Sequence, residues 1–383
     1  MPRPPLFAPR ALSLRASPYS ALAHRLATHP GEVYPLHVGD TWMEPAPGCR
    51  MQDLRVEDHP GMHRYTSVHG MPALLDAIVE RTRARTGLPV ERDDVLVAAG
   101  ATGGLGAVAA ALVAPGDEVL LLAPYWPLIE GIVRSVGGEP VPVPFFGEVD
   151  AVEAAVAQVR RHVGPRTVAL YVNTPSNPTG RVLPEAWLAA LAELARSEGL
   201  WLLSDEVYED YAYAGEHAPL RPMAPERTIS AHSFSKAYGM AGNRAGYVVG
   251  PAEVVSQARK MSTHTFYSTP TASQIAAVRA LSGLADDWVR QARRLYAEVG
   301  AAVAERLGVP APEGGTFLFL DVAPWLDDRG LGGFLEDLAG DGVFLAPGDS
   351  FGPYPTHVRL CFTAAPPDLT LRGVERLARR MGR

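Results

Sequence analysis

Lysine is almost missing from this sequence. Lys236 and Lys260 are the only two in 383 residues, and every other basic side chain is arginine. Cysteine is as rare: Cys49 and Cys361 stand alone, far apart and without metal-ligand spacing. The simplest expectation is a pair of free thiols in a reducing, cytoplasmic setting. No apolar run approaches the roughly 18 residues that span a bilayer, so no membrane role is expected. Net charge is −7, with no basic tract interleaved with aromatics, which argues against nucleic acid as a partner. The eleven histidines show neither His-Glu-x-x-His nor other ligand spacing, so no metal is assigned. Gly-x-Ser-x-Gly is absent as well, which leaves a serine hydrolase unsupported.

What remains is a globular balance of 47% hydrophobic and 20% charged residues. The length exceeds one ordinary core and predicts a large domain plus a smaller one. Before Glu32 there are four arginines (Arg3, Arg10, Arg15 and Arg25) and no acid. Without an apolar signal core, this segment reads as an N-terminal arm with a short helix near Ser20 to Thr28 rather than a transit peptide.

Short apolar runs then alternate with helical patterns, the pattern of a mainly parallel sheet covered on both faces. The candidate strands are Val95–Ala99, Val119–Ala123, Val141–Phe145, Thr167–Val172, Trp201–Ser204, Thr228–Ala231 and Ala245–Val249. Helical stretches such as Leu105–Val113 and Leu183–Ser197 lie between them. After Asp286 the character changes to a long helix, short apolar runs at Phe317–Val322, Phe334–Leu338 and Val358–Phe362, and a closing Arg-rich helix. The expected division is an arm with part of the small domain over 1–44, a large α/β domain over 45–285, and a smaller α+β domain over 286–383.

The lysine scarcity directs attention to chemistry that only an amine performs. A guanidinium stays protonated and forms no Schiff base; a lysine can. Lys236 lies in Ser233-Phe234-Ser235-Lys236-Ala237-Tyr238-Gly239, just past a predicted strand end, with Arg244 eight residues on. Ser233 and Arg244 can hold a phosphate through a hydroxyl and a guanidinium fork, although a Ser-Lys pair alone is usually a solvated loop. Gly100-Ala101-Thr102-Gly103-Gly104-Leu105-Gly106 follows a strand and opens an Ala-rich helix. Its backbone N–H groups can converge on an anion. The stretch fits the phosphate of a non-dinucleotide cofactor, a dinucleotide turn, or plain structure. Asp205 and Tyr208 end another strand, where a carboxylate can keep a pyridinium nitrogen protonated. A solvated acidic pair fits there too. Asn173-Thr174-Pro175-Ser176-Asn177-Pro178-Thr179-Gly180 reads locally as a turn after a strand.

The ordered set Asn177-Pro178-Thr179-Gly180, Asp205 and Tyr208, Ser233-x-Ser235-Lys236, Arg244, and Arg359 resembles the class I and II aminotransferases of pyridoxal-5′-phosphate (PLP) fold type I. Tyr65 with Gly70 and the run Pro115–Glu118 extend the match, which covers nearly everything from Leu36 onward. The resemblance implies a large domain with a mainly parallel seven-stranded sheet flanked by helices, plus a smaller α+β domain. It implies that Lys236 carries PLP as a Schiff base and shuttles the proton at the substrate α-carbon. Asp205 would pair with the ring nitrogen, Asn177 and Tyr208 with the ring oxygen, and Ala101, Thr102, Ser233 and Arg244 with the phosphate. Trp126 would stack on the ring, Arg359 would fork onto the substrate α-carboxylate near Gly39 and Asn177, and the Asn177–Pro178 bond would be cis. Tyr65 would reach the cofactor of a second subunit, implying a homodimer with shared sites. The activity implied is transfer of an amino group from an α-amino acid to a 2-oxo acid; a C–S β-lyase or aminocyclopropane-carboxylate synthase on the same fold is the alternative.

Two rivals fit poorly. A short-chain oxidoreductase needs Tyr-x-x-x-Lys, but His232 and Ser256 stand four residues before the two lysines. A ligand-sensing regulator needs a DNA-binding domain, for which the residues before Leu36 are too few. For the substrate side chain, Trp42, Tyr125 and Phe266 are candidate apolar wall residues; no second cation for a distal carboxylate stands out, and Arg50, Arg64 and Arg221 are the candidates to serve across a dimer.

Overall fold

A computed structural model of the chain describes residues 6–14 and 23–383. Seven strands form the main sheet: β1 (Val95–Ala98), β2 (Glu118–Ala123), β3 (Glu139–Pro144), β4 (Thr167–Asn173), β5 (Trp201–Asp205), β6 (Thr228–Ser233) and β7 (Gly246–Val249). Their spatial order is β1-β7-β6-β5-β4-β2-β3. Only β7 runs antiparallel to its neighbours; β2 to β6 pair in parallel. The central strands are near-continuous apolar runs such as Leu120-Leu121-Leu122 and Ala169-Leu170-Tyr171-Val172, all buried, as parallel strands covered on both faces must be. Each sequence-predicted strand is present, with ends shifted by at most two residues. β5, for instance, runs on to include Asp205.

Helices α1 (Pro9–Leu12), α2 (Pro72–Thr86), α3 (Gly100–Leu112), α4 (Pro127–Ser135), α5 (Val152–Arg160), α6 (Glu185–Glu198), α7 (Ala252–Thr263) and α8 (Thr271–Arg279) accompany the sheet. α3 packs against α7 on one face, and α5 against α6 on the other. The helix expected from Leu105 starts five residues earlier, so the Gly-rich stretch forms its first turns. The expected helix near Ser20 is a 3-10 turn over Ala23–Thr28, and Ser20 itself lies outside the described residues.

The second layer starts with α9 (Asp286–Leu307), whose buried Ala292, Tyr296, Val299, Val303 and Leu307 recur at helical spacing. A three-stranded antiparallel sheet follows, with order β8 (Phe317–Asp321), β10 (His357–Cys361), β9 (Ala346–Pro347). The Phe334–Leu338 run lies inside α10 (Gly330–Gly340), where Phe334, Leu335, Leu338 and Ala339 share one buried face. α11 (Pro367–Arg380) closes the chain against α9. Tyr34 bridges to Val343, and Tyr34 and Leu36 join the same core, which stitches the N-terminal segment into this layer. No helix among the described residues is long and apolar enough to cross a membrane.

Candidate active site

The antiparallel β7 restores strand direction at β1, so β1, β4, β5 and β6 end at one edge of the sheet. That edge is where open α/β sheets place ligands. A cleft of ≈ 170 Å³ opens there and reaches the second layer. Of the residues expected to hold the cofactor or the substrate α-carboxylate, all but one line it: Gly39, Ala101, Thr102, Trp126, Asn177, Asp205, Tyr208, Ser233, Lys236, Arg244 and Arg359. Tyr65 does not; it is 88% exposed in the single chain and meets Tyr267 edge-on.

One end of the cleft is an anion cradle. Ala101 and Thr102 occupy the first turn of α3, whose free N–H groups carry positive potential. Gly246 lets that turn approach, because a Cβ there would lie 2.7 Å from Ala101 N, Gly100 C and His232 O. Arg244, with a left-handed φ of 52°, donates to Ala241 O at 2.9 Å and Ala99 O at 3.4 Å. Ser233 Oγ accepts from Ser235 N at 3.0 Å, so its hydroxyl proton remains available.

Asp205 lies at the other end, 3% exposed. Tyr171 donates its hydroxyl to Oδ2 at 2.6 Å, and Val207 N lies 3.4 Å from Oδ1. Burial pushes this carboxyl up to about 6, against the pull of the Tyr171 hydroxyl and of His232. A cation beside Oδ1 would bring it back down. Asn173, unflagged by sequence, ties the edge together. Its Nδ2 donates to Asp205 O at 2.9 Å and its Oδ1 accepts from Asn177 N at 2.7 Å. The Asn177–Pro178 bond is cis, as are Ala123–Pro124 and Thr174–Pro175.

Lys236 sits between these ends and donates to Gly39 O. Burial pushes its ammonium pKa down, with Arg359 and Arg244 adding to the effect and Asp40 opposing it. Burial likewise pushes the Tyr208 phenol up, keeping it a donor; its ring meets Phe317 edge-on at 5.7 Å. Arg359 is fully buried between the rings of Phe317 (4.3 Å) and Phe351 (4.8 Å). It donates to Asn177 Oδ1 at 3.0 Å and His37 O at 2.6 Å. That demand assigns the Asn177 amide, leaving Nδ2 as a donor. A Cβ on Gly39 would lie 2.8 Å from Phe317 and 3.7 Å from Arg359.

The proposed side-chain wall is corrected by the structure. Trp42, Tyr125 and Phe266 are not among the cleft-lining residues. Tyr125 is buried with its hydroxyl 3.2 Å from Glu130, and Phe266 packs at Gly103 behind the cradle. Arg221 is buried too, donating to Thr228 O and Pro225 O, so it is no distal-carboxylate partner. The apolar residues that do line the cleft are Ala101, Trp126, Leu128, Val207 and Ala241.

Behind the Asp205–Tyr208 turn lies a charge network. Glu206, Glu209 and His232 bring their ligand atoms within 4.8 Å of one another, a grouping sequence spacing did not disclose. The carboxylates already have partners: Glu209 pairs with Arg81 (3.2 Å) and Arg85 (2.6 Å), and Glu206 with His217 (3.0 Å). The second lysine, Lys260, is exposed on α7 and donates to Gln257.

Comparison with known proteins points to one family. The family model described as aminotransferase class I and II matches residues 35–379. The chain is 36% identical over 330 residues to the aspartate/prephenate aminotransferase of Thermus thermophilus, covering 84% of each. It is 36% identical over 310 residues to the arginine–pyruvate transaminase of Pseudomonas aeruginosa, covering 78% of each. A tetra mutant of the Thermus thermophilus aspartate aminotransferase, solved with tryptophan, superposes with a TM-score of 0.90 at 30% identity, over 98% of this chain and 99% of that one. With Lys236, Asp205 and Arg359 in one cleft and the family model spanning both layers, the chain belongs to the class I and II aminotransferases.

Proposed function

We propose that the cleft binds PLP and that Lys236, Asp205 and Arg359 carry out amino-group transfer between an α-amino acid and a 2-oxo acid. The convergence of a buried amine, a buried carboxyl and a buried guanidinium on one small cleft carries this reading. The fit is chemical at both ends: a cradle of N–H groups and Arg244 for a phosphate, and a buried carboxyl, pushed up to about 6, that a protonated ring nitrogen would stabilise in its charged form. PLP, when bound, supplies an electron-withdrawing ring to the substrate atom attached to it. The chain supplies the rest. Burial favours the uncharged form of the Lys236 amine, which would serve first as nucleophile and then as the base that takes the proton at the substrate α-carbon. Arg359, held by His37 O and Asn177, presents its fork to the α-carboxylate. Asn177 Nδ2 and the Tyr208 hydroxyl would donate to the ring oxygen. Tyr65, exposed beside Tyr267, is assigned to the site of a second subunit in a homodimer. We further propose the large and small domains divided near 45 and 286, and a cytoplasmic location.

An absorbance spectrum tests the reading. The purified protein should be yellow, and single amino acids added without a keto acid should bleach the visible band into the near ultraviolet with release of the matching keto acid. A protein that stays colourless and takes up no added PLP would overturn it; release of ammonia or sulfide instead would change the reaction to a lyase.

The cradle makes its own prediction. Gly100 has φ +73°, and a Cβ there would lie 2.5 Å from Arg244 Nη2. Gly100→Ala should cost about 1–2 kcal/mol of stability from the left-handed backbone and weaken PLP retention by displacing Arg244. Thermal melting and a PLP titration measure the two effects separately.

A further inference from the structure

We propose that Tyr171 is a positioning residue for Asp205: its hydroxyl pins Oδ2, so that the carboxylate meets the cofactor ring nitrogen through Oδ1. The inference rests on the PLP reading above.

Strand register carries it. Asn173 pairs with Asp205 and Tyr171 with Leu203 across β4 and β5. Tyr171, Asn173 and Asp205 therefore share one face of the sheet, with Tyr171 diagonal to Asp205. Diagonal neighbours in a sheet are roughly 7–8 Å apart at the backbone, a span that a tyrosine crosses and a smaller side chain does not. The hydroxyl arrives at 2.6 Å from Oδ2, with both residues almost fully buried. Asp205 and Val207 line the cleft and Tyr171 does not, so the phenol approaches the carboxylate from the side away from any ligand.

A carboxylate anchored at one oxygen loses most of its freedom to rotate about the bond joining its carboxyl group to the side chain. The second oxygen is then fixed in direction before a cofactor arrives, which is the preorganisation that electrostatic catalysis requires. The donor also favours the charged form. The other groups facing Asp205 are His232 on β6, which favours its charged form, and Glu206 on its own turn, which opposes it. Glu206 is answered by His217, and His232 lies 3.2 Å from Glu209, so Tyr171 is the neighbour that makes a direct side-chain hydrogen bond. Burial pushes the Tyr171 phenol well above its ordinary range, so the hydroxyl remains a donor throughout the working pH range.

The test is nitrogen-15 NMR of PLP labelled at the ring nitrogen, bound to the wild type and to Tyr171→Phe, as a function of pH. The variant keeps the buried ring and removes one oxygen. The ring nitrogen should lose its proton at a pH lower by about one to two, and kcat should fall roughly tenfold to a hundredfold with KM little changed, the size expected for a hydrogen bond to a charged group. In an Asp205→Asn background, the same substitution should change neither quantity further. An unaltered nitrogen titration in a variant that melts like the wild type overturns the proposal. So does a Tyr171→Phe protein whose loss of activity tracks only lowered thermal stability. A wild type that takes up no labelled PLP would instead remove the underlying cofactor reading, and this proposal with it.

Discussion

Replacing Lys236 by alanine is expected to reduce turnover by about 10⁴-fold or more while PLP still binds without a covalent link. On the proposed chemistry the substitution removes a nucleophile and a proton carrier together, and proton transfer by one positioned side chain alone contributes about 10²–10⁴-fold. The cradle at α3, Arg244 and Asp205 are untouched, so equilibrium dialysis should still show bound PLP, released more readily than from the wild type. Lys236→Arg should fail as fully as alanine, because a guanidinium stays protonated and is no nucleophile. That comparison is sharp in a chain that uses arginine at almost every other basic position. Near wild-type turnover in either variant would sink the assignment.

Arg359→Ala is expected to lower kcat/KM for α-amino acids by roughly 30- to 4,000-fold. That range corresponds to the 2–5 kcal/mol that follows truncation of one partner in a buried charged pair. The loss should appear mainly in KM, and amines without a carboxylate should be used about as well as before. Arg359→Lys would keep the charge and lose the fork, so it should recover only part of the loss. The guanidinium is also packed between Phe317 and Phe351, so some thermal stability should go with it. Equal losses for substrates with and without a carboxylate would show that Arg359 supports the fold and not the substrate.

The site was legible where chemistry and punctuation coincide in the chain. Lys236 stood out by rarity, Asp205 by its place at a strand end, and Asn177 by the Asn-Pro-Thr-Gly run around it. The strands were legible because a sheet covered on both faces writes itself as apolar runs. Tyr171 was not: in a run such as Ala169-Leu170-Tyr171-Val172 a tyrosine reads as core, and only the register against β5 reveals what its hydroxyl meets. The charge network around Glu209 was hidden for the same reason, since Arg81, Glu209 and His232 come from α2, the turn after β5 and the end of β6. The apolar wall was misread because aromatic residues near a motif need not face it. Tyr125 follows a cis proline and turns into the core, while Trp126 next to it lines the cleft.

The two lysines occupy opposite environments, Lys236 inside the cleft and Lys260 exposed on α7. Apart from the chain's own amino terminus, Lys260 is thus the one outward amine that a coupling reagent or an aldehyde-bearing resin can readily reach. Such a catalyst would attach to a support through almost a single point and in nearly one orientation, without the random multipoint tethering that lysine-rich enzymes undergo. If Lys236 carries the cofactor as proposed, reading which lysine peptides carry the tag by mass spectrometry would double as an occupancy assay, with Lys236 tagged only in molecules that lack it.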